Sequence, residues 1–200
     1  MPQFWVKLLL ATGNRGKAEE IRRLLAEGPW ELEDLSSYPG LPVAEETGSS
    51  YRENAWLKAS LVARLTGEMV LADDSGIEVA ALNGGPGLFS SRWAGPGKDA
   101  AAINRRLLDA VDNSRGERQA VMRCAVALTD PKGRAWFGEG ACEGEIAAAP
   151  VGEDGFGYDP IFYLPNFKLT LAQLPVAIRD LISHRGKAVG EIKPVLLSWR

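Results

Sequence analysis

Two hundred residues, 46% hydrophobic and 24% charged, suit one globular domain whose core needs neither disulfides nor a structural metal. A net charge of −3 argues against a broad cationic coat for nucleic acid, though not against a local basic pocket for a small anion. The two cysteines, Cys124 and Cys142, have no zinc-like spacing and read as buried thiols, and Met1 to Ala11 lacks a basic leader with a long apolar run. A cytoplasmic protein with no membrane or nucleic-acid partner is expected.

Phe4 to Ala11 is a short apolar run stopped by Thr12-Gly13-Asn14, as a buried first strand would be. Lys17 to Glu27 follows at helical spacing, with Ala18, Ile21, Leu24 and Leu25 on one face and Gly28-Pro29 as its stop. Trp30 to Leu35 reads as a second strand, and Ser36 to Ser49 as a loop that carries Glu45 and Glu46. Ser50 and Glu53 have capping-box spacing, which predicts a helix to about Thr66 with Tyr51, Ala55, Val62 and Leu65 inward. Met69 to Asp73 is a third strand ending in Asp73-Asp74-Ser75-Gly76. Beyond it lie a Gly-rich stretch from Asn83 to Gly97 and a helix from about Asp99 to Val111.

Gln119 to Thr129 and Ala135 to Ile146 are a predicted antiparallel pair around the turn Asp130-Pro131-Lys132-Gly133. Gly152 to Pro165 is a Gly-rich loop, and a last helical region holds Ser183-His184-Arg185 and ends near Trp199. The order βαβαβ followed by a hairpin predicts an α/β fold with a mixed sheet.

Four groups of residues are candidates for chemistry. Thr12-Gly13-Asn14-Arg15-Gly16-Lys17 joins a strand to a helix, where unpaired N–H groups and the helix dipole favour a phosphate and Arg15 and Lys17 add charge. Ala18 stands where a Walker loop has its magnesium-binding hydroxyl, so this is no Walker motif; a plain Gly-rich turn is the alternative. Asp73-Asp74 is an adjacent carboxylate pair whose side chains leave a strand on opposite faces, so one of them enters a site as magnesium ligand or proton acceptor. The alternative is an Asp-Ser-Gly turn. Glu45-Glu46 reads either as solvated surface or as a second magnesium carboxylate. In Gly155-Phe156-Gly157-Tyr158-Asp159, the Phe between glycines can offer a ring face to a flat base. His184 and Arg185 form a donor pair for a carbonyl or phosphate, or a structural pair.

With these pieces in this order, and with Glu46-Thr47-Gly48 and Asn54-Ala55 between them, the whole chain resembles the inosine triphosphate pyrophosphatase family. The resemblance implies a two-lobed α/β fold over residues 1–200 with the nucleotide in a central cleft, a homodimer, Mg²⁺, and cleavage of ITP, dITP or XTP to monophosphate and pyrophosphate. It implies Asp74 as proton acceptor and metal ligand and Glu46 as second metal ligand. Thr12 to Lys17 would contact the substrate on its phosphate side, and Ser75 would also contact the substrate. Phe156, Gly157, Tyr158, Asp159, His184 and Arg185 would surround the base. One departure stands out: where the family has a Lys before Ser-His-Arg, this chain has Arg179, in Leu174-Pro175-Val176-Ala177-Ile178-Arg179. Arg179 is therefore expected to supply the cationic substrate contact. A γ-phosphate-cleaving NTPase and a non-catalytic nucleotide-binding module are the competing readings; orthophosphate as product would mark the first and absence of turnover the second.

Overall fold

The computed structural model describes residues 6–95, 97, 99–114 and 116–199. Phe4, Trp5 and Pro96, part of stretches assigned from sequence, lie outside them. The strands are β1 (Val6–Leu10), β2 (Trp30–Asp34), β3 (Met69–Val79), β4 (Gln119–Thr129), β5 (Ala135–Ile146), β6 (Phe162–Leu164) and β7 (Leu169–Thr170). The helices are α1 (Arg15–Leu24), α2 (Tyr51–Thr66), α3 (Ala100–Ser114), α4 (Val176–Ile182) and α5 (His184–Ser198). The strands form one open mixed sheet in the order β2-β1-β3-β4-β5-β6-β7. β1 pairs in parallel with β2 and β3, while β6 pairs antiparallel with β5 and β7.

The chain divides into two compact units, one of Met1–Asp74, Cys124–Gly140 and His184–Arg200, the other of Ser75–Arg123 and Ala141–Ser183. In the first, alternation along the strands feeds two cores. Leu8, Leu10, Met69 and Leu71 pack with Ile21 and Leu25 of the α1 segment and with Val189, Ile192 and Leu196 of α5. Leu9, Ala11, Val70 and Ala72 pack with Ala55, Ala59, Val62 and Ala63 of α2. A strand covered on both faces is apolar at nearly every position, as this part of β3 is until Asp73. In the second unit, Ile77 and Val79 pack with Leu107 and Val111 of α3, Met122 of β4, and Ile146 and Phe162.

Several boundaries differ from the sequence reading, each for a local reason. α1 begins at Arg15, because the Asn14 side chain accepts the Lys17 N–H (3.2 Å), and it ends at Leu24, short of Glu27. Ser50 caps α2 by accepting the Glu53 N–H (3.1 Å), but the Glu53 carboxylate reaches back to the Ser49 N–H (2.6 Å), one residue beyond a reciprocal box. Gly67, at φ +73°, ends α2 by donating to the Ala63 carbonyl. Leu65 is exposed instead of inward; Asn54 and Ala59 take the inner face with Ala55 and Val62. The largest correction is β3: it runs through Asp73-Asp74-Ser75-Gly76 to Val79 without a turn.

Candidate active site

Because β3 continues, Asp73 and Asp74 project to opposite faces of a central strand. Asp73, only 1% exposed, follows Leu71 onto the face covered by α1 and α5. One of its oxygens meets Lys17 Nζ at 3.0 Å and Arg185 Nε at 3.1 Å. Arg185 Nη1 reaches Glu20 at 2.5 Å. Two carboxylates and two cations thus form a balanced buried group. Burial alone raises a carboxyl pKa, but Lys17 and Arg185 outweigh it and hold Asp73 well below the usual range. The same carboxylates raise the Arg185 guanidinium above its ordinary value against the opposing effect of burial. Asp73 therefore ends no turn; it anchors an ionic network.

Asp74 follows Val70 and Ala72 onto the α2 face. Asn54 Nδ2 donates to its Oδ2 (3.0 Å), and Lys58 Nζ lies 3.5 Å from its Oδ1. The same ammonium meets Glu46 Oε1 at 2.8 Å. Here two carboxylates meet the same ammonium. Burial raises the Asp74 pKa and Glu46 adds to this, while Lys58, Asn54 and Lys17 oppose it; the balance is upward. Burial opposes the charge of Lys58, but Asp74, Asp73 and Glu46 leave its pKa raised.

Among the described residues no three His, Cys, Asp or Glu side chains are grouped to cage a metal ion. The Glu46–Asp74 pair nevertheless suits Mg²⁺, which is held through one or two carboxylates, waters and substrate phosphates. The second carboxylate is already drawn to a cation in the form of Lys58.

The strand-to-helix loop of the same unit is the most exposed of the predicted groups. Thr12 Oγ1 accepts the Asn14 N–H (3.2 Å), a Cβ at Gly13 would touch nothing within 4 Å, and Arg15 reaches out to Glu19 (2.7 Å). Gly16 and Lys17 are already in the first turn of α1, and Lys17 turns its ammonium inward to Asp73. His184, at the start of α5, is 9% exposed, and its Nδ1 has no hydrogen-bond partner among the described residues. Burial, reinforced by Arg185 and Lys17, pushes its pKa well below the ordinary value, so it is a neutral imidazole. Arg185, expected beside the base, spends Nε and Nη1 on Asp73 and Glu20.

The remaining candidates lie in the second unit. The Phe156 N–H donates to Asp159 Oδ2 (3.0 Å), Tyr158 OH donates to the Ser90 carbonyl (2.7 Å), and Asn104 Nδ2 donates to the Gly157 carbonyl (3.0 Å). The loop is thus tied at three successive residues, with Phe156 part-exposed at its tip. Gly155, at φ +81°, sits where a Cβ would fall 2.1 Å from Asp159 Oδ2, so the loop admits only glycine there. Arg179, on α4, donates weakly to the Leu171 carbonyl (3.4 Å). Ser75 is part-buried on β3.

Sequence reasoning missed Lys58, Glu20 and the part played by Asn54. Asn54 and Lys58 are four apart on a helix and share a face, as do Lys17 and Glu20 at three; that spacing was the available signal.

The model of the Ham1 family matches residues 8–195. The chain belongs to the Ham1 family. Curated relatives carry the same coverage: a dITP/XTP pyrophosphatase of Desulforamulus reducens is 44% identical over 96% of both chains. One of Nostoc sp. is 46% identical over 94% of this chain and 92% of its own. Among solved structures, a HAM1 protein from Coxiella burnetii superposes with a TM-score of 0.86 at 39% identity, covering 96% of this chain and 98% of its own. A Ham1 protein from Staphylococcus aureus gives 0.83 at 37% identity, covering 95% and 97%. The α/β class and the mixed sheet expected from sequence are those of this Ham1 fold.

Proposed function

We propose that this chain hydrolyses dITP, XTP and ITP between the α and β phosphates, releasing the monophosphate and pyrophosphate. The activity its relatives are named for supports this reading. The observation that carries it is the gathering of Glu46, Lys58 and Asp74 on one face of β3. Glu46 and Asp74 are the residues that would hold Mg²⁺, which supplies neutralisation of the triphosphate when bound. Asp74 accepts the proton of the attacking water. Lys58 adds positive charge beside Asp74. The exposed loop from Thr12, the first-turn N–H groups of α1, Arg15 and Lys17 bind the leaving phosphates, with Lys17 exchanging Asp73 for phosphate oxygens. Ser75 contacts the substrate from β3.

On the base side, Phe156 would stack, Asp159 would accept from N1–H and donors of Gly157 and Tyr158 would meet O6; His184 and Arg185 of the first unit are the further base contacts that the family resemblance implies. Arg179 adds a cation there, and Arg179→Ala should lower kcat/KM about tenfold. Adenine presents the opposite edge, so ATP should be at least about a hundredfold poorer. A cytoplasmic homodimer belongs to the same reading, and light scattering reads its mass. Among the described residues no helix is long and apolar enough to cross a membrane.

Incubation of the protein with dITP and Mg²⁺ in ¹⁸O-water, followed by phosphorus NMR, tests the reaction. Label in the monophosphate with unlabelled pyrophosphate is expected. Diphosphate and orthophosphate would establish the γ-cleaving alternative, and no turnover the binding module. Excess chelator should abolish activity and Mg²⁺ restore it.

A further inference from the structure

Asn54 is 1% exposed, a costly place for an amide unless both its ends are satisfied. Its donor end, Nδ2, binds Asp74 Oδ2 at 3.0 Å. Its acceptor end, Oδ1, takes the Gly48 N–H at 2.8 Å, two residues beyond Glu46. One side chain therefore ties the loop bearing one carboxylate to the other carboxylate itself. Lys58, one turn further along α2, joins the same two groups by charge. A charge contact tolerates sliding; an amide with one donor and one acceptor at fixed separation does not.

The close approach at Gly48 is part of the device. A Cβ there would fall 2.7 Å from Asn54 Oδ1 and 2.7 Å from Glu53 Cβ. The loop comes this near to α2 only because residue 48 has no side chain.

We propose that Asn54 is a positioning residue: it sets the spacing of Glu46 and Asp74, and the direction of the Asp74 carboxylate, before substrate arrives. This rests on the reading of those two carboxylates as metal and water ligands. The nearest replacements lack this pair of functions at this reach. Aspartate has no donor and would set an anion against Asp74, leucine has neither function, and glutamine carries its amide one methylene further.

Four readouts on the full chain test it in Asn54→Leu, Asn54→Asp and Gly48→Ala. The last breaks the link from the loop side and leaves Asn54 in place. kcat for dITP should fall tenfold to a hundredfold in Asn54→Leu and Gly48→Ala, the cost of misplacing a reacting group by about an ångström. KM should stay within about threefold, and Asn54→Asp should be the poorest. Mn²⁺ alone, followed by electron paramagnetic resonance, should bind more weakly to all three. Amide exchange over residues 44–49 should quicken in Asn54→Leu.

Wild-type kcat and Mn²⁺ affinity in Asn54→Leu or Gly48→Ala would overturn the proposal, as would unchanged exchange in Asn54→Leu. A lowered Tm with unchanged kcat per folded molecule would overturn it too, leaving Asn54 a core residue. Absence of dITP turnover by the unaltered protein would instead sink the proposed reaction, and Mn²⁺ affinity and exchange would still decide the role of Asn54.

Discussion

Two neighbouring aspartates, one bond register apart on β3, have opposite electrostatic fates. On the α1/α5 face, Asp73 and Glu20 are balanced by Lys17 and Arg185 within 3.1 Å, and the Asp73 pKa is lowered. On the α2 face, Asp74 and Glu46 share Lys58, Asp74 also accepts from the Asn54 amide, and the Asp74 pKa is raised. The carboxylates of Asp73 and Glu20 hold Lys17 and Arg185 in place on that face. Both aspartates are buried, so the opposite directions of their pKa come from their charged neighbours and not from burial alone.

Replacing Asp74 by Asn should give the largest effect: kcat for dITP should drop by about 10²–10⁴-fold or more, since base and metal ligand are lost together. The Tm should change little. Asp73→Asn should do the reverse, removing about 3–5 kcal/mol of unfolding free energy, because it leaves Lys17 and Arg185 buried without their shared partner. A stable but inactive Asp73 variant beside an active Asp74 variant would exchange the two assignments. Lys58→Met should lower kcat about tenfold and lower the Mg²⁺ concentration needed for half-maximal rate, because the ammonium no longer competes with the metal for Glu46 and Asp74. Unchanged Mg²⁺ dependence would remove Lys58 from the comparison.

The pH dependence of stability sharpens it further. The folded-state pKa of Asp73 is depressed, so its contribution is complete above the unfolded value of about 3.9 and declines as pH falls toward the lower folded value. The gap in unfolding free energy between the unaltered protein and Asp73→Asn should stay constant from neutral pH down to about 5 and narrow below about 4. A gap that closes near neutrality would point to a different group. The smallest effect belongs to Arg15, which is almost fully exposed: Arg15→Ala should leave the Tm unaltered and weaken substrate only through lost phosphate attraction.

The hairpin of β4 and β5 was legible because alternation and turn chemistry agree there, and the observed limits, Gln119–Thr129 and Ala135–Ile146, are those read from the residues. β3 was cut short because Asp-Asp-Ser-Gly has the composition of a turn; pairing in the middle of a sheet overrides such local preference. Leu65 was placed inward because periodicity marks a stripe without saying how wide the covering layer is. Asp74 and Glu46 could be singled out because adjacent carboxylates stood at a strand end and in a loop before a helix, and the structure brings both to Lys58. The partners of Arg185 could not be read this way: it lies 165 residues from Glu20 and 112 from Asp73, and no local pattern announces such a meeting.

α5 reaches its place by a route that leaves no chemical trace in the sequence. A Cβ at Gly138 would fall 2.2 Å from the Ala188 carbonyl, and one at Gly140 would fall 2.1 Å from the carbonyl of His184. Two absent side chains on β5 therefore form a seat into which the helix backbone drops. The address of His184 and Arg185 is written in hydrogen atoms on another strand. A methyl group added at residue 140 would lift the start of α5 and carry Arg185 off Asp73, so a mutational scan should find this unreactive glycine as intolerant as the charged residues it never touches.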